Sequence, residues 1–443
     1  MMNNINTTNI RLHLLAIPHT ITRNEYSHCA FTGKVLRFSP MMRSVGYEVY
    51  HYGIETSLSG ANVQIDLLTV DEYNKLKLES YMYLNPSVTI EDSIAKLADP
   101  TMEVGSLANW DTPLYKEFNR KLRQEIKKHY RSNATDIVCL PFGPAHEHAL
   151  DGLNYACIES GIGYSNAFKD FRIYESYAKL HWDCHRANMF PPNYWFVCPN
   201  YYNIKEWPFQ PRCKKNTIGF FGRITQVKGL QIIVEIARLF PHVDIYICGQ
   251  GDPTPYLTEP NIIYQKPLHG TDRWKYLSQL SAVITPTLFL EPFCGVSAEA
   301  QLCGVPVISS HHGAFVENIE QFKTGVKCHT LSDFCYGIKM ALNGKFDREY
   351  IHKRAVKLFD MYNVAKLYDY AFRSFNEIYN GNNGWYSPNM NIMALETSFD
   401  NLDNNNITEE SVSMNKDDRY NLNNHICTNH KNDENIIVEY LEF

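Results

Sequence analysis

The chain has 443 residues, of which 44% are hydrophobic and 20% charged, and a formal net charge of −6. A chain of this length is too long to fold around one compact core, which predicts two domains of roughly 150 to 200 residues. The charge balance argues against a nucleic-acid-binding protein. Residues 381–443 alone carry 11 acidic against 3 basic side chains, a net of −8, which leaves +2 for the remainder. A near-neutral main body can accommodate an anionic ligand.

The cysteines and the termini indicate a cytoplasmic protein. Twelve cysteines are scattered without a Cys-x-x-Cys pair, and several lie in apolar runs, which favours reduced thiols. Residues 1–9 are polar and predict a disordered start without a signal peptide, and no apolar run approaches the length of a membrane span. The acidic, asparagine-rich residues 381–443 predict a disordered tail.

The first predicted elements form a βαβ unit. Ile10–Ile17 has the composition of a strand, Lys34–Ser44 has helical spacing, and Glu48–Gly53 reads as the next strand. Strand, helix and strand in this order predict the start of a doubly wound parallel sheet. The polar loop His19–Gly33 follows the first strand.

A basic amphipathic helix is predicted over residues 115–131. Apolar residues recur every fourth position from Phe118, and lysines and arginines fill the other faces. One interpretation is peripheral contact with an anionic membrane surface. The other is a helix packed through its narrow apolar stripe with a solvated basic face, and both interpretations stay open.

The rest of the predicted first half contains the strand Asp136–Leu140, a strand and loop over Ala156–Tyr164, and the strand Trp195–Cys198. His146 follows the first of these at the start of the next predicted helix. Glu159 lies where the second strand is expected to end.

The second half begins with a strand that leads into a glycine and two cations. Ile218–Phe221 is followed by Gly222, Arg223 and, five residues later, Lys228. A second strand, Val243–Cys248, ends in the turn Gly249-Gln250-Gly251, where glycines allow a ligand to approach the backbone. Plain turn glycines are the alternative.

Two carboxylates, Glu291 and Glu299, are separated by seven residues around a small-residue turn. The spacing predicts that Glu291 lies in a loop after the strand Ala282–Thr285, and that Glu299 lies inside a helix from about Gly295 to Leu302. The first helical turn offers unpaired amides to an anion. The residues around it are Phe293, Cys294, Gly295 and Val296.

This succession of glycine-terminated strand, basic pair, Gly-x-Gly turn, Glu-Pro-Phe and second glutamate resembles the nucleotide-binding half of the retaining GT-B glycosyltransferases of family 4 (group 1). The resemblance implies an α/β fold of two Rossmann-like doubly wound domains facing a cleft. It also implies that Glu291 holds the transferred sugar, that Glu299 holds the ribose, and that Arg223 and Lys228 stabilise the diphosphate. Cys294 departs from the family, where glycine is common.

The resemblance also implies roles in the first half. In many members a strand-end histidine contacts the donor sugar, and here that position is Pro141, so His146 is the candidate catalytic residue, with a surface histidine at a helix start as the alternative. The loop His19–Gly33, with His19, and Glu159 are the candidates for binding the acceptor. For Glu159 a structural carboxylate is the alternative.

The predicted domains are 1–207 for the acceptor, 208–361 for the nucleotide sugar, a helix over 362–380 that crosses back to the first domain, and the tail 381–443. The activity implied is transfer of a hexose-type sugar from a UDP- or GDP-linked donor to a glycan, lipid or protein hydroxyl with retention. No metal and no further cofactor are expected, because no Asp-x-Asp motif is present. The alternatives are a non-catalytic nucleotide-sugar-binding scaffold and a GT-B sugar-nucleotide epimerase.

Overall fold

Two parallel β-sheets form the framework of the computed structural model, which describes residues 9–381 except 28, 100, 101, 103 and 215. The strands of the first sheet pair in the order β3-β2-β1-β4-β5-β6-β7. They are β1 (Arg11–Leu15), β2 (Glu48–Ile54), β3 (Val63–Leu68), β4 (Asp136–Leu140), β5 (Cys157–Ile162), β6 (Arg172–Tyr174) and β7 (Trp195–Val197). The helices of this half are α1 (Ala30–Arg43), α2 (Val70–Leu84), α3 (Ile90–Ala98), α4 (Pro113–His129), α5 (Glu147–Leu150) and α6 (Tyr177–Arg186).

The second sheet has six parallel strands in the order β10-β9-β8-β11-β12-β13. They are β8 (Thr217–Phe221), β9 (Asp244–Cys248), β10 (Ile262–Gln265), β11 (Ala282–Thr285), β12 (Val307–Ser310) and β13 (Gly325–Cys328). The helices are α7 (Leu230–Leu239), α8 (Gly270–Ser278), α9 (Gly295–Leu302), α10 (Phe315–Asn318), α11 (Leu331–Leu342), α12 (Arg348–Phe359) and α13 (Met361–Tyr379). Central strands such as β8 and β11 are buried along their whole length, as expected of a parallel sheet covered on both faces.

Helix α13 returns to the first sheet. Its residues Val364, Tyr368 and Phe372 belong to the same buried cluster as the side chains of β1 and α1. Tyr47 also donates a hydrogen bond to Asp369, with 2.9 Å between the oxygens. The aromatic face of the predicted helix 362–380 is therefore buried against the first half of the chain. The predicted domain limits stay predictions, and the disorder expected of residues 1–9 and of the tail falls outside the described residues, apart from Asn9 and Gly381.

Several elements differ from the sequence-based expectations. Helix α2 was not expected, because its apolar residues lack clear periodicity, yet a capping box of Thr69 and Glu72 starts it. Helix α1 begins at Ala30, four residues inside the segment predicted as a loop. The short strands β6 and β10, of three and four residues, were not expected either. Among the described residues, no helix combines the length and the apolar character needed to span a membrane.

Candidate functional site

The polar loops of the second sheet lie at the carboxyl ends of its strands. Strand β8 is followed by Gly222-Arg223, β9 by Gly249–Gly251, and β11 by the segment that contains Glu291. The strands are parallel, so their carboxyl ends lie at one edge of the sheet and bring these loops together. Open α/β sheets bind their ligands at this edge. The candidate site is therefore the carboxyl edge of the second sheet.

Lys228 and Glu291 are in direct contact at this edge. The ammonium nitrogen of Lys228 lies 2.5 Å from Oε1 of Glu291 and 4.6 Å from the ring centre of Phe289. The loops that carry them touch: a Cβ added to Gly229, whose φ is +75°, would lie 1.9 Å from the carbonyl oxygen of Pro286. Only glycine permits this approach. The close backbone packing thus sets the position of Lys228 against Glu291.

Glu299 is paired with an arginine that sequence reasoning missed. Nε and Nη2 of Arg273 both donate to Oε2 of Glu299, at 2.8 and 2.6 Å, so one carboxylate oxygen takes both bonds. Arg273 belongs to α8, and Leu277, one turn further on, is fully buried. A cation on the buried face of a short helix was the signal that could have identified it, because such a charge needs a partner.

The start of α9 is shaped by an unusual residue. Cys294 precedes the helix with φ +66° and ψ +79°, in the left-handed region where glycine is favoured. Burial raises the pKa of its thiol, so the thiol stays protonated at neutral pH. Phe293 packs against Phe359 in the core, which leaves only its backbone for ligand contact. Val296 is also buried, and Gly295 accepts a hydrogen bond from Tyr202 at 3.2 Å.

The predicted donor-binding glycines are required by packing between the loops. A Cβ on Gly249 would lie 1.7 Å from the carbonyl oxygen of Gly222, and one on Gly251, with φ +114°, would lie 2.7 Å from that of Ile224. The loops after β8 and β9 are therefore pressed together through their backbones. Arg223 lies between Gly222 and Ile224 with an exposed side chain. Backbone packing accounts for these glycines without a ligand.

The prediction that His146 acts in the cleft is wrong. Its side chain is fully buried, and its Nδ1 lies 3.3 Å from Oδ1 of Asn119 in α4. Burial lowers its pKa to about 3, so the imidazole is neutral. His146 ends a 3-10 helix, Gly143–His146, that turns inward after β4. It supports the packing of that turn.

The structure also corrects the prediction that Glu159 binds an acceptor. Its carboxylate is buried; Oε2 accepts from the hydroxyl of Tyr164 at 2.7 Å, and Oε1 accepts from the amides of Phe168 and Lys169 at 2.6 and 2.7 Å. Burial raises its pKa. Both oxygens are engaged by the loop that follows β5, which is the structural alternative left open above.

His19 is likewise held inside the first half. Its side chain is 2% exposed, with Nδ1 2.6 Å from the hydroxyl of Tyr115 and Nε2 3.8 Å from the sulfur of Cys29. Its carbonyl oxygen accepts from the hydroxyl of Tyr73 at 2.9 Å. A side chain held in this way is closed to an acceptor, so the prediction that His19 binds one is wrong.

The basic helix over 115–131 corresponds to α4. Its apolar stripe, which includes Phe118 and Leu122, is fully buried. Several of its cations are paired, as Lys121 is with Glu72 of α2 at 2.8 Å. The structure therefore places the stripe in the core, and the packed-helix interpretation describes α4.

Two doubly wound parallel sheets with a polar carboxyl edge on the second define the GT-B fold, and the predicted fold class is confirmed. Residues 215–343 match the model of the family described as glycosyl transferases group 1. These residues, about three tenths of the chain, are thus similar to the group 1 glycosyltransferases. Within the described residues, no group of three His, Cys, Asp or Glu side chains is arranged to hold a metal ion.

Three similar proteins illustrate this relationship. Alpha-maltose-1-phosphate synthase of Mycolicibacterium smegmatis is 26% identical over 127 residues, which are 25% of this chain and a third (33%) of that protein. Sucrose-phosphate synthase from Thermosynechococcus elongatus has a TM-score of 0.56 at 14% identity, covering 82% of this chain and 98% of that one. Anabaena Alr3699/HepE in complex with UDP-glucose has a TM-score of 0.54 at 13% identity, covering 82% and 100%. At identities this low, the two structural similarities show a shared fold.

Proposed function

We propose that the protein transfers a hexose-type sugar from a nucleoside-diphosphate donor to a hydroxyl of a glycan, lipid or protein, with retention of anomeric configuration. The observation that carries the proposal is the pair of glutamates at one sheet edge, each in contact with a cation, on either side of the start of α9. A UDP-linked donor is favoured, because a similar fold is described in complex with UDP-glucose.

The leaving group determines what the site must supply. A nucleoside diphosphate carries about three negative charges, which must be stabilised as the bond to the sugar breaks. Lys228 uses one of its three N–H donors on Glu291, so two are left for phosphate oxygens. Arg223 adds a guanidinium from the neighbouring loop, and the amides at the start of α9 add their dipole. In this proposal the chain's own charges stabilise the leaving diphosphate.

The carboxylates orient the two ends of the donor. Glu291 would accept hydrogen bonds from the sugar hydroxyls and so fix the anomeric carbon near Lys228. Arg273 occupies Oε2 of Glu299, and Oε1 would accept hydrogen bonds from the ribose hydroxyls. In a retaining reaction the acceptor hydroxyl attacks from the face that the diphosphate leaves, and its proton passes to the departing phosphate.

The experiment follows the donor without requiring the acceptor. The protein is incubated with UDP-glucose, and nucleotide release and the first-formed sugar anomer are followed by NMR, with water as acceptor. Slow release of UDP with α-glucose formed first is expected, slowed about ten- to hundredfold by Lys228→Met. Arg238→Met is the control, because Arg238 lies in the same domain, half exposed, away from this edge.

Each alternative has its own result. Conversion to a different sugar nucleotide without release of UDP would identify an epimerase. Binding of UDP-glucose without any conversion would favour the scaffold. Release that is equally fast in the protein and in Lys228→Met would contradict the proposed site.

A further inference from the structure

One carboxylate of the second domain caps a helix of the first. Glu317 lies in α10, between β12 and β13, and its Oε2 and Oε1 accept from the backbone amides of Tyr177 and Ala178, at 3.0 and 2.8 Å. These two residues begin α6 of the first domain, after the N-cap Ser176. The first amides of a helix lack partners within it, and a negative charge there is favoured by the helix dipole. Glu317, Tyr177 and Ala178 are called the Glu317 clamp.

The turn that carries Glu317 is fastened to the loop of Glu291. The amide of Ala314 donates to the carbonyl oxygen of Glu291, and the side-chain amide of Asn318 donates to that of Phe293, both at 2.9 Å. A Cβ on Gly313 would lie 2.8 Å from the same carbonyl oxygen of Glu291. Helix α10 and the loop of the donor-site glutamate are therefore packed as one unit.

The other side of the clamp is fastened to the first domain. Glu175 directly precedes the N-cap of α6 and forms a buried ion pair with Lys34 of α1. Lys34 also donates to the carbonyl oxygen of Gly161 in β5, at 2.7 Å. The start of α6 is thereby tied to α1 and to the first sheet. The contacts form a continuous path from the first sheet to the backbone of Glu291.

We propose that Glu317 is a positioning residue, which holds the first domain against the donor-site loop and so fixes Glu291 relative to the acceptor side of the cleft. This role in transfer rests on the proposed function, whereas the clamp itself does not. Transfer requires two substrates to meet at a near-attack distance. A clamp between the two domains supplies that alignment without contacting either substrate.

The clamp is tested first by hydrogen exchange of the peptide that covers residues 176–182. Glu317→Ala should speed its exchange about tenfold, because the amides of Tyr177 and Ala178 lose their acceptor. Glu349→Ala is the control, since Glu349 has the same charge in the same domain and pairs with Lys353 on the exposed face of α12. Unchanged exchange in Glu317→Ala would overturn the clamp.

The clamp can also be tested from the first domain, by removing one of the backbone amides that donate hydrogen bonds to Glu317. Tyr177 is the first residue of α6, a position where proline is tolerated, and Ser176 before it has the extended backbone that proline requires. Tyr177→Pro therefore removes one amide of the clamp and keeps the helix, and Tyr177→Ala controls for the lost side chain. The double variant Tyr177→Pro with Glu317→Ala should exchange the peptide 176–182 little faster than either single variant. Full additivity would overturn the clamp.

The positioning role is tested by kinetics on UDP-glucose, with release of UDP as the signal. Glu317→Ala should lower kcat about tenfold and leave KM and the Kd for UDP within about twofold, since the clamp does not contact the donor. Loss of folded protein would also lower the apparent kcat and leave KM unchanged, so kcat is calculated per UDP-binding site, counted by titration with UDP. Faster exchange with unchanged kcat would overturn the positioning role. Absence of UDP binding by the unmodified protein would instead contradict the proposed function and leave the exchange result to decide the clamp.

Discussion

At the carboxyl edge of the second sheet, Glu291 and Glu299 each contact a cation and keep 10% and 15% of their side chains exposed. In the first domain, Glu159 lies within β5 and His146 follows β4, yet both are fully buried and bonded to their own surroundings. Polar residues near strands of the two doubly wound sheets are thus placed in different environments. Exposure and the charge of the partner separate them.

The difference has a physical cause. A carboxylate paired with Lys or Arg beside solvent stays ionised and can exchange part of its contacts for a ligand. A buried carboxylate whose oxygens accept from its own loop is needed to satisfy that loop, and moving it leaves amides unpaired. We therefore expect substitutions in the first domain to lower stability, and substitutions at the second sheet's edge to lower ligand affinity.

The largest expected effect is a loss of stability when the loops at the carboxyl edge of the second sheet are forced apart. Gly249→Ala places a Cβ 1.7 Å from the carbonyl oxygen of Gly222, so the ends of β8 and β9 must separate. We expect the free energy of unfolding in urea to fall by more than about 4 kcal/mol. Gly344→Ala is the control, because Gly344 has φ +65° and open space around it, and should cost about 1 kcal/mol. Similar costs for both would show that close packing does not require Gly249.

Acid should destabilise the first domain. Burial lowers the pKa of His51 to about 4, whereas in the unfolded chain it is about 6.5. Between pH 6.5 and 4 the unfolded chain binds a proton at His51 that the folded protein does not, so the contribution of His51 to stability is constant above this window and falls within it, by about 3 kcal/mol. Thermal unfolding measured from pH 8 to 4 checks this. His51→Gln should flatten the decline, and an unchanged decline would contradict the assignment.

Glu159 and Glu291 provide the most direct contrast. Glu159→Ala leaves the hydroxyl of Tyr164 and two amides without their acceptor, and should lower the free energy of unfolding by about 2 kcal/mol with no change in UDP-glucose affinity. Glu291→Ala should lower affinity at little cost in stability. Urea unfolding and calorimetry of both variants give the comparison. A loss of affinity in Glu159→Ala would mean that the first domain's carboxylate reaches the donor.

The smallest expected effect is a gain. Cys294 has φ +66°, which costs a non-glycine residue about 1 kcal/mol. Cys294→Gly should raise the free energy of unfolding by about this amount and keep nucleotide binding. Cys294→Ala keeps the strained backbone and should bring no gain. A gain of the same size in both variants would point to the thiol instead of the backbone.

The strands β8, β9 and β11 and the helix α9 of the second half could be predicted because their signals are local. Each motif of the second half is a buried strand followed within a few residues by glycine and a charge, and the chain from Gly295 to Leu302 forms α9 as the pattern indicated. Arg273 was missed because its partner, Glu299, is 26 residues away and only the fold brings them together.

The candidate site residues of the first half were misassigned because a sequence does not distinguish a polar residue that faces a ligand from one that satisfies its own fold. His19 and His146 contact Tyr115 and Asn119, which come from the distant helix α4. Their burial arises only when the domain packs, so the sequence around each histidine does not indicate it. The Glu317 clamp joins residues 140 positions apart, so local sequence patterns could not predict it either.

The central claim is that the second sheet's carboxyl edge binds a nucleotide through Lys228. Titration calorimetry with UDP, GDP and ADP tests it most directly, on the unmodified protein, on Lys228→Met and on Arg238→Met. The account predicts one-to-one binding of one nucleotide by the unmodified protein and by Arg238→Met, with affinity about tenfold or more weaker in Lys228→Met. Folded protein that binds none of the three nucleotides, or equal affinity in all three proteins, would contradict it.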